Sequence, residues 1–282
     1  MSRRLLIFLL ALLVVVLVAR QSLRVPPPPT HYAFGHGPDV VILHGLGTTA
    51  QDWLPVSRLL ARHYRVTLVD LPGHGMSPLP EPFSLDRAVA ALDRALAETS
   101  DKPVFLVGHS LGGLVAAQEA LERPDRVRGL VLVETALRPQ VTPAERARLE
   151  AEMERDYRGF LRGSYMEMAR DSAQGERMFA EAAALDPSNV KPWIHLAMIA
   201  DLSGMMRKLQ PALLAVLAER SWEPAETWAH ASDALGYSHA PHVRPVRLEG
   251  CGHFIMLDRP EALSQIIDRF AQNPDGEPVA AK

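Results

Sequence analysis

The sequence predicts an α/β fold: a mostly parallel, doubly wound sheet with helices on both faces and one helical cap inserted at about 137–209. Three observations carry this. Short strand-like runs at 40–43, 66–69, 104–107, 127–133, 212–217 and 243–248 alternate with stretches of helical spacing, and most of the runs are apolar throughout, as strands buried on both faces are. A glycine-framed serine, Gly108-His109-Ser110-Leu111-Gly112, stands between one such run and a helix-like stretch. The segment 137–209 is too long for a simple crossover, is rich in Ala, Glu, Arg and Met, and has helical spacing at 145–160 and again at 175–185.

Composition bounds the reading. With 48% hydrophobic and 22% charged residues in 282, the chain can build one large domain with a substantial core. A net charge of −3 leaves no basic surface for a nucleic-acid partner, and none is expected. The single cysteine, Cys251, excludes an intramolecular disulfide. It precedes His253 by two residues but reads as a small buried residue rather than a nucleophile. No Cys/His cluster has metal-ligand spacing, so neither metal nor cofactor is expected.

Residues 1–24 read as a separate unit. Ser2-Arg3-Arg4 supplies positive charge, 5–19 is uninterrupted apolar sequence, and Arg20 closes it. The run is shorter than the ~20 residues a spanning helix prefers, yet flanking arginines can snorkel to the interfaces. The same pattern fits the n-region and h-region of a signal peptide, with Leu17-Val18-Ala19 a tolerable cleavage site. The expectation is a transmembrane signal anchor or an export signal. It puts the rest of the chain on the non-cytoplasmic side, membrane-anchored or exported. Pro26 to Pro29 make 25–30 a stiff linker, and the folded domain is expected over 31–282. So little chain separates Thr30 from Val40 that the first strand of the sheet should be short or absent.

The run 40–43 leads into His44-Gly45-Leu46-Gly47. Acyl transfer needs donors aimed at the oxygen that gains charge, and the backbone N–H groups of Leu46 and Leu111 would suffice. The run 66–69 ends at Asp70-Leu71-Pro72-Gly73-His74-Gly75, in which Asp70 and His74 read as turn-forming structural residues. The run 104–107 enters the serine pentapeptide. A strand–turn–helix this sharp presents the hydroxyl at the top of the sheet, with a helix N-terminus beneath it. The strand-like 243–248 is followed by Glu249-Gly250-Cys251-Gly252-His253-Phe254, and a helix opens near Pro260. His253 therefore lies on a late loop. A serine is a weak nucleophile until a base takes its proton, and histidine titrates near neutrality.

The segments "VVILHGLG", "VTLVDLPGHGMS", "VFLVGHSLGG", "VRGLVLVET" and "LEGCGHFIMLDRPEAL" resemble the α/β-hydrolase superfamily, in the branch of small esterases, perhydrolases and carbon–carbon bond hydrolases. The resemblance frames nearly everything from Tyr32 to Ala271. It implies Ser110 as nucleophile, His253 as base, and Leu46 and Leu111 as oxyanion-hole positions. One departure stands out. In most relatives the catalytic acid follows the strand that here reads 212–217, and that position holds Ser221. A serine cannot supply the carboxylate that orients the histidine and stabilises its cation. Some members of the superfamily place the acid one strand earlier, and Glu134 stands at the end of 127–133. Glu219 and Glu223 are rivals by proximity, and Ser221 itself is expected to contribute little.

Met166, Met168, Phe179, Trp193, Met198, Met205 and Met206 could line an apolar pocket beneath the cap, although most read as cap core. The implied activity is hydrolysis of a small, apolar, ester-like substrate through an acyl-enzyme. Carbon–carbon bond hydrolysis or perhydrolysis would use the same residues. A non-catalytic, membrane-tethered binding module would explain the missing acid.

Overall fold

The computed structural model describes residues 31–276. Its centre is one seven-stranded sheet in the order β1-β3-β2-β4-β5-β6-β7. The strands are β1 (His31–Gly35), β2 (Asp39–Leu43), β3 (Arg65–Val69), β4 (Val104–His109), β5 (Val127–Val133), β6 (Ala212–Ala218) and β7 (Val243–Leu248). β1 is a five-residue edge strand antiparallel to β3, and the other pairings are parallel. The first strand is thus present and short.

Alternation along the strands divides the core in two. Val40, Ile42, Val66, Leu68, Phe105, Val107, Val131 and Val133 face α1 (Leu54–Leu60), the C-terminal helix and the cap. Val41, Leu43, Val69, Leu106, Leu130, Leu132 and Leu213 face α2 (Leu85–Thr99) and α3 (Leu111–Glu122). Both faces are dry, which is why the strands read as continuous apolar runs.

The cap lies between β5 and β6 and contains α4 (Pro143–Arg155), α5 (Tyr157–Met168), α6 (Ser172–Ala182) and α7 (Pro187–Ile199). The stretch 145–160 is not one helix. Asp156 leaves helical geometry at φ −146°, ψ 79°, ends α4, and caps α5 by accepting from the Gly159 N–H at 2.9 Å. α4 opens on a capping box, with Thr142 and Glu145 each accepting from the other's backbone N–H. After β6 come α8 (Trp228–Leu235), the short α9 (Ile255–Asp258) and α10 (Pro260–Gln272).

The chain runs from β2 outward to β3, then crosses back to β4 on the other side of β2. The switch point therefore lies between β2 and β4, and the crevice at their carboxyl ends is where such sheets bind ligands. The loops that follow these two strands are 44–48 and the Ser110 turn.

The membrane expectation is corrected here. Among the described residues no helix is long and apolar enough to cross a membrane. The segment 5–19 on which the transmembrane signal anchor and the membrane-anchored or exported localisation rested lies outside the described residues, as do the linker 25–30 and the last residues of the expected 31–282 domain. Neither the anchor nor that localisation is retained.

Candidate active site

Backbone strain marks the site. Among the described residues, the non-glycine positions with positive φ are Ser110 (52°), Glu134 (48°) and His242 (52°). Two of these stand at the carboxyl ends of neighbouring strands. Such conformations cost about 1–3 kcal/mol each and persist only when the surroundings enforce them. At Ser110 the N–H donates to Val133 O at 3.0 Å and the carbonyl accepts from Gly113 N at 2.9 Å. A Cβ on Gly108 would lie 2.6 Å from both Gly112 O and Gly113 Cα, so glycine is required where the turn folds against its own helix.

Glu134 is buried at the end of β5, and its N–H donates to Val216 O at 2.9 Å. Its carboxylate is ringed by donors. Oε1 accepts from Ala218 N at 2.7 Å, and Oε2 accepts from Ser221 Oγ at 3.0 Å. His253 Nδ1 lies 3.0 Å from the same Oε2, and Arg220 Nη1 lies 3.7 Å from it. Glu134 is therefore the carboxylate brought to His253. Ser221 is not a bystander: its hydroxyl shares an oxygen with the imidazole.

His253 is itself held by backbone groups. Its N–H donates to Met168 O at 2.9 Å, and its carbonyl accepts from His109 Nε2 at 3.0 Å. The His109 and His253 rings lie 4.7 Å apart. Burial, and then the neighbouring His253, keep His109 well below the usual histidine range, so it stays neutral and its single proton sits on the donating Nε2. The Ser110 side chain makes no capping bond, and no hydrogen bond joins it to His253 among the described residues, although both line one cavity.

The 44–48 loop is a lattice of fixed peptides. Thr48 Oγ1 donates to Gly45 O at 2.9 Å, Tyr165 Oη donates to Leu46 O at 2.7 Å, and Gly47 N donates to His74 Nε2 at 3.0 Å. His44 Nε2 accepts from Leu71 N at 3.0 Å, while its Nδ1 faces Gly45 O at 2.7 Å. Burial lowers His44 to about 3 and His74 to about 4, so both are neutral and accept through Nε2. Burial pushes Asp70 up, and the nearby backbone N–H groups of Met76 and Ala50 oppose that shift. These residues serve as internal braces. The Leu46 and Leu111 N–H groups have no hydrogen-bond partner among the described residues.

The cavity over Ser110 measures about 510 Å³. Leu114, Val141, Met198, Leu217 and Leu235 give it apolar walls, and Arg138, Gln140 and Arg220 add polar groups. Of the cap side chains that the sequence offered as lining, Met198 reaches it; Trp193 and Met206 are buried in the core on the α2–α3 side, and Met205 is 41% exposed. Among the described residues no group of three or more His, Cys, Asp or Glu side chains could hold a metal ion. Burial, with nearby carboxylates, pushes the Cys251 thiol up to about 12, so it is no nucleophile.

A model of the alpha/beta hydrolase family matches residues 40–266. The chain belongs to the alpha/beta hydrolase family. Among curated members, it is 30% identical over 253 residues to a pimeloyl-[acyl-carrier protein] methyl ester esterase of Yersinia enterocolitica, covering 83% of this chain and 93% of that protein. It is 36% identical over 233 residues to the protein of the same name from Chromobacterium violaceum, covering 73% and 89%. Among solved structures, a hydrolase from Oleispira antarctica superposes with a TM-score of 0.75 at 17% identity, covering 89% of this chain and 97% of that one. A thermophilic esterase from Thermogutta terrifontis superposes with a TM-score of 0.70 at 22% identity, covering 86% and 92%. The two superpositions speak to the fold, while the curated relatives make this an alpha/beta hydrolase of the esterase type.

Sequence reasoning overlooked Ser221 as a donor, Tyr165, and the Met168 carbonyl. The first stands where the acid is missing, but a hydroxyl does not show which carboxylate it will meet. The other two belong to the cap, and no local motif announces them.

Proposed function

We propose that this hydrolase is a serine esterase working through an acyl-enzyme. The Ser110 hydroxyl attacks the ester carbonyl, and His253 takes its proton and then delivers it to the leaving alkoxide. The Leu46 and Leu111 N–H groups hold the oxyanion. Water then releases the acyl group by the same proton transfers in reverse order. Glu134 orients the imidazole and stabilises the imidazolium. The observation that carries this reading is the 3.0 Å contact between His253 Nδ1 and Glu134 Oε2. With Nδ1–H committed to the carboxylate, Nε2 keeps the lone pair that accepts the serine proton. The hydrogen bond from Ser110 to His253 forms when substrate fills the cavity.

The catalytic domain occupies 31–282, with its cap at about 137–209. The relatives' names support a methyl ester as substrate, and the apolar walls of the cavity suit an alkyl acyl chain. The non-catalytic reading drew on the missing acid, and the Glu134 contact argues against it. Carbon–carbon bond hydrolysis and perhydrolysis have no observation of their own in their favour.

The test is covalent labelling with a fluorophosphonate, joined to turnover on a panel of methyl and p-nitrophenyl esters. The adduct should fall on the Ser110 peptide, and His253→Ala should slow labelling greatly. Ser110→Ala should abolish both label and turnover. An adduct on Cys251, or ester turnover that survives Ser110→Ala, overturns the proposal.

A further inference from the structure

Leu46 is flanked by two peptide units. The Gly45–Leu46 unit offers the Gly45 carbonyl and the Leu46 N–H, and the Leu46–Gly47 unit offers the Leu46 carbonyl and the Gly47 N–H. Three of these four groups are held: Gly45 O by Thr48 Oγ1 at 2.9 Å, Gly47 N by His74 Nε2 at 3.0 Å, and Leu46 O by Tyr165 Oη at 2.7 Å. The fourth, the Leu46 N–H, is the donor that the proposed chemistry needs. An oxyanion donor works because it is fixed before charge develops, so that no reorganisation is required during reaction.

Of the side chains that hold these groups, Tyr165 alone comes from the cap. It lies on α5, 119 residues from Leu46 in sequence, and its side chain is buried. Its ring lies nearly parallel to that of Phe254, at 3° with centroids 6.1 Å apart, and Phe254 follows His253 directly. The hydroxyl thus approaches the Leu46 carbonyl from a ring wedged between both catalytic loops. Burial raises the Tyr165 phenol, so it remains a neutral donor throughout the working range. The end of α5 also reaches the histidine loop, where Met168 O accepts from His253 N at 2.9 Å. Just beyond it, Arg170 Nη1 and Gln174 Nε2 meet Asp258 Oδ1 at 3.0 and 2.7 Å, while Asp258 Oδ2 accepts from Gly252 N at 2.9 Å.

We infer that Tyr165 is a positioning residue for the oxyanion hole: the cap, through this hydroxyl, sets the orientation of the peptide units that carry the Leu46 donor. The inference rests on the esterase reading above. It gives the α5 end of the cap a share in the chemistry besides any part in selecting substrate.

The experiment compares wild type, Tyr165→Phe and Ser110→Ala on p-nitrophenyl butyrate. It also measures affinity for phenylboronic acid, which forms a tetrahedral adduct with an active serine, and for butyrate, the acid product, which does not. Tyr165→Phe should lower kcat roughly tenfold, the scale of one hydrogen bond, with KM within about twofold. Boronate affinity should fall by a similar factor and butyrate affinity should hold. Unchanged kcat in a folded Tyr165→Phe protein overturns the inference alone, as does a parallel loss of boronate and butyrate affinity. Turnover surviving in Ser110→Ala overturns the esterase reading and this inference with it. If Tyr165→Phe does not fold, Thr48→Val is read in the same assays. It removes one of the two side-chain donors to the Gly45 carbonyl, leaving His44 Nδ1 at 2.7 Å, and should shift kcat and boronate affinity together; no shift overturns the frame.

Discussion

The carboxyl ends of β5 and β6 are neighbours that have exchanged parts. At the end of β5 a carboxylate sits on a strained backbone, with φ 48° at Glu134. At the end of β6 the chain supplies donors to it: the Ala218 N–H, the Ser221 hydroxyl and, more distantly, the Arg220 guanidinium. The family resemblance in the sequence points to an acid near Ser221 instead. The difference teaches that an imidazole needs a carboxylate at a place in space, not at a place in sequence. The strand that gives up its acid keeps a role if what replaces it can hydrogen-bond the relocated one.

The comparison breaks first at Glu134. Glu134→Gln should cut turnover by about 10³–10⁴, the scale seen when a triad acid is neutralised, with the thermal melt little changed. A loss under tenfold in initial-rate assays would mean that another group supports His253. Next comes the reverse exchange. Adding Ser221→Asp to Glu134→Gln returns a carboxylate to the β6 end, and it should recover at least about tenfold of the lost turnover. No recovery in a folded double variant would show that the two strand ends are not interchangeable here. Ser221→Ala alone should lower kcat by roughly 3- to 10-fold, the worth of one hydrogen bond, with KM nearly constant. Full activity would return Ser221 to the bystander expected from sequence.

Two smaller effects concern strand-end and helix groups that are kept uncharged instead of paired. His44 and His74 titrate near 3 and 4 in the folded chain, below the ordinary 6.5 of an unfolded one. The unfolded chain therefore binds more protons between those values. The stability from keeping both rings neutral is fully present above about pH 6.5 and declines as pH falls toward 4. Melting temperature against pH should show that slope, and it should flatten in His74→Gln. Glu119 on α3 has the opposite sign. Both carboxylate oxygens are buried without hydrogen-bond partners among the described residues, and burial, then Asp93, raises it to about 7. Its contribution is present below the unfolded value near 4.5 and is lost as pH rises through 7. Glu119→Gln should raise the melting temperature at pH 8 by a few degrees and change it little at pH 5.

What sequence could supply was local. Ser110, His253, Leu46 and Leu111 each sit in a short glycine-rich string next to a buried strand, and those strings need no long-range information. Glu134 was legible by subtraction, because Ser221 vacates the expected position and the preceding strand ends in a carboxylate. The Ser221 contribution was not, since a hydroxyl gives no sign of which carboxylate it will meet. The break at Asp156 was readable in principle. Apolar spacing runs on through it, but an aspartate three residues before Gly159 offers the α5 N-terminus its cap. Tyr165 and Met168 stayed hidden for a deeper reason. Their partners lie across the cap–sheet interface, and a backbone carbonyl has no residue type by which to recognise it.

Glu134 is followed directly by the chain that becomes the cap. Residues 135–141 leave β5 and run along the cavity wall, with Arg138, Gln140 and Val141 at its edge, before α4 starts at Pro143. When the acid follows β6, the mouth of the cavity and the acid belong to separate stretches of polypeptide and can diversify independently. Here they share one short leash. Under the esterase reading proposed above, widening the cavity at 138–141 to admit bulkier esters would disturb residues only a few peptide bonds from that carboxylate, so gains in scope there are expected to lower turnover. The α8 wall, at Ala231 and Leu235, borders the same cavity without that tether, and under the same reading it is the side on which substrate range would be redrawn.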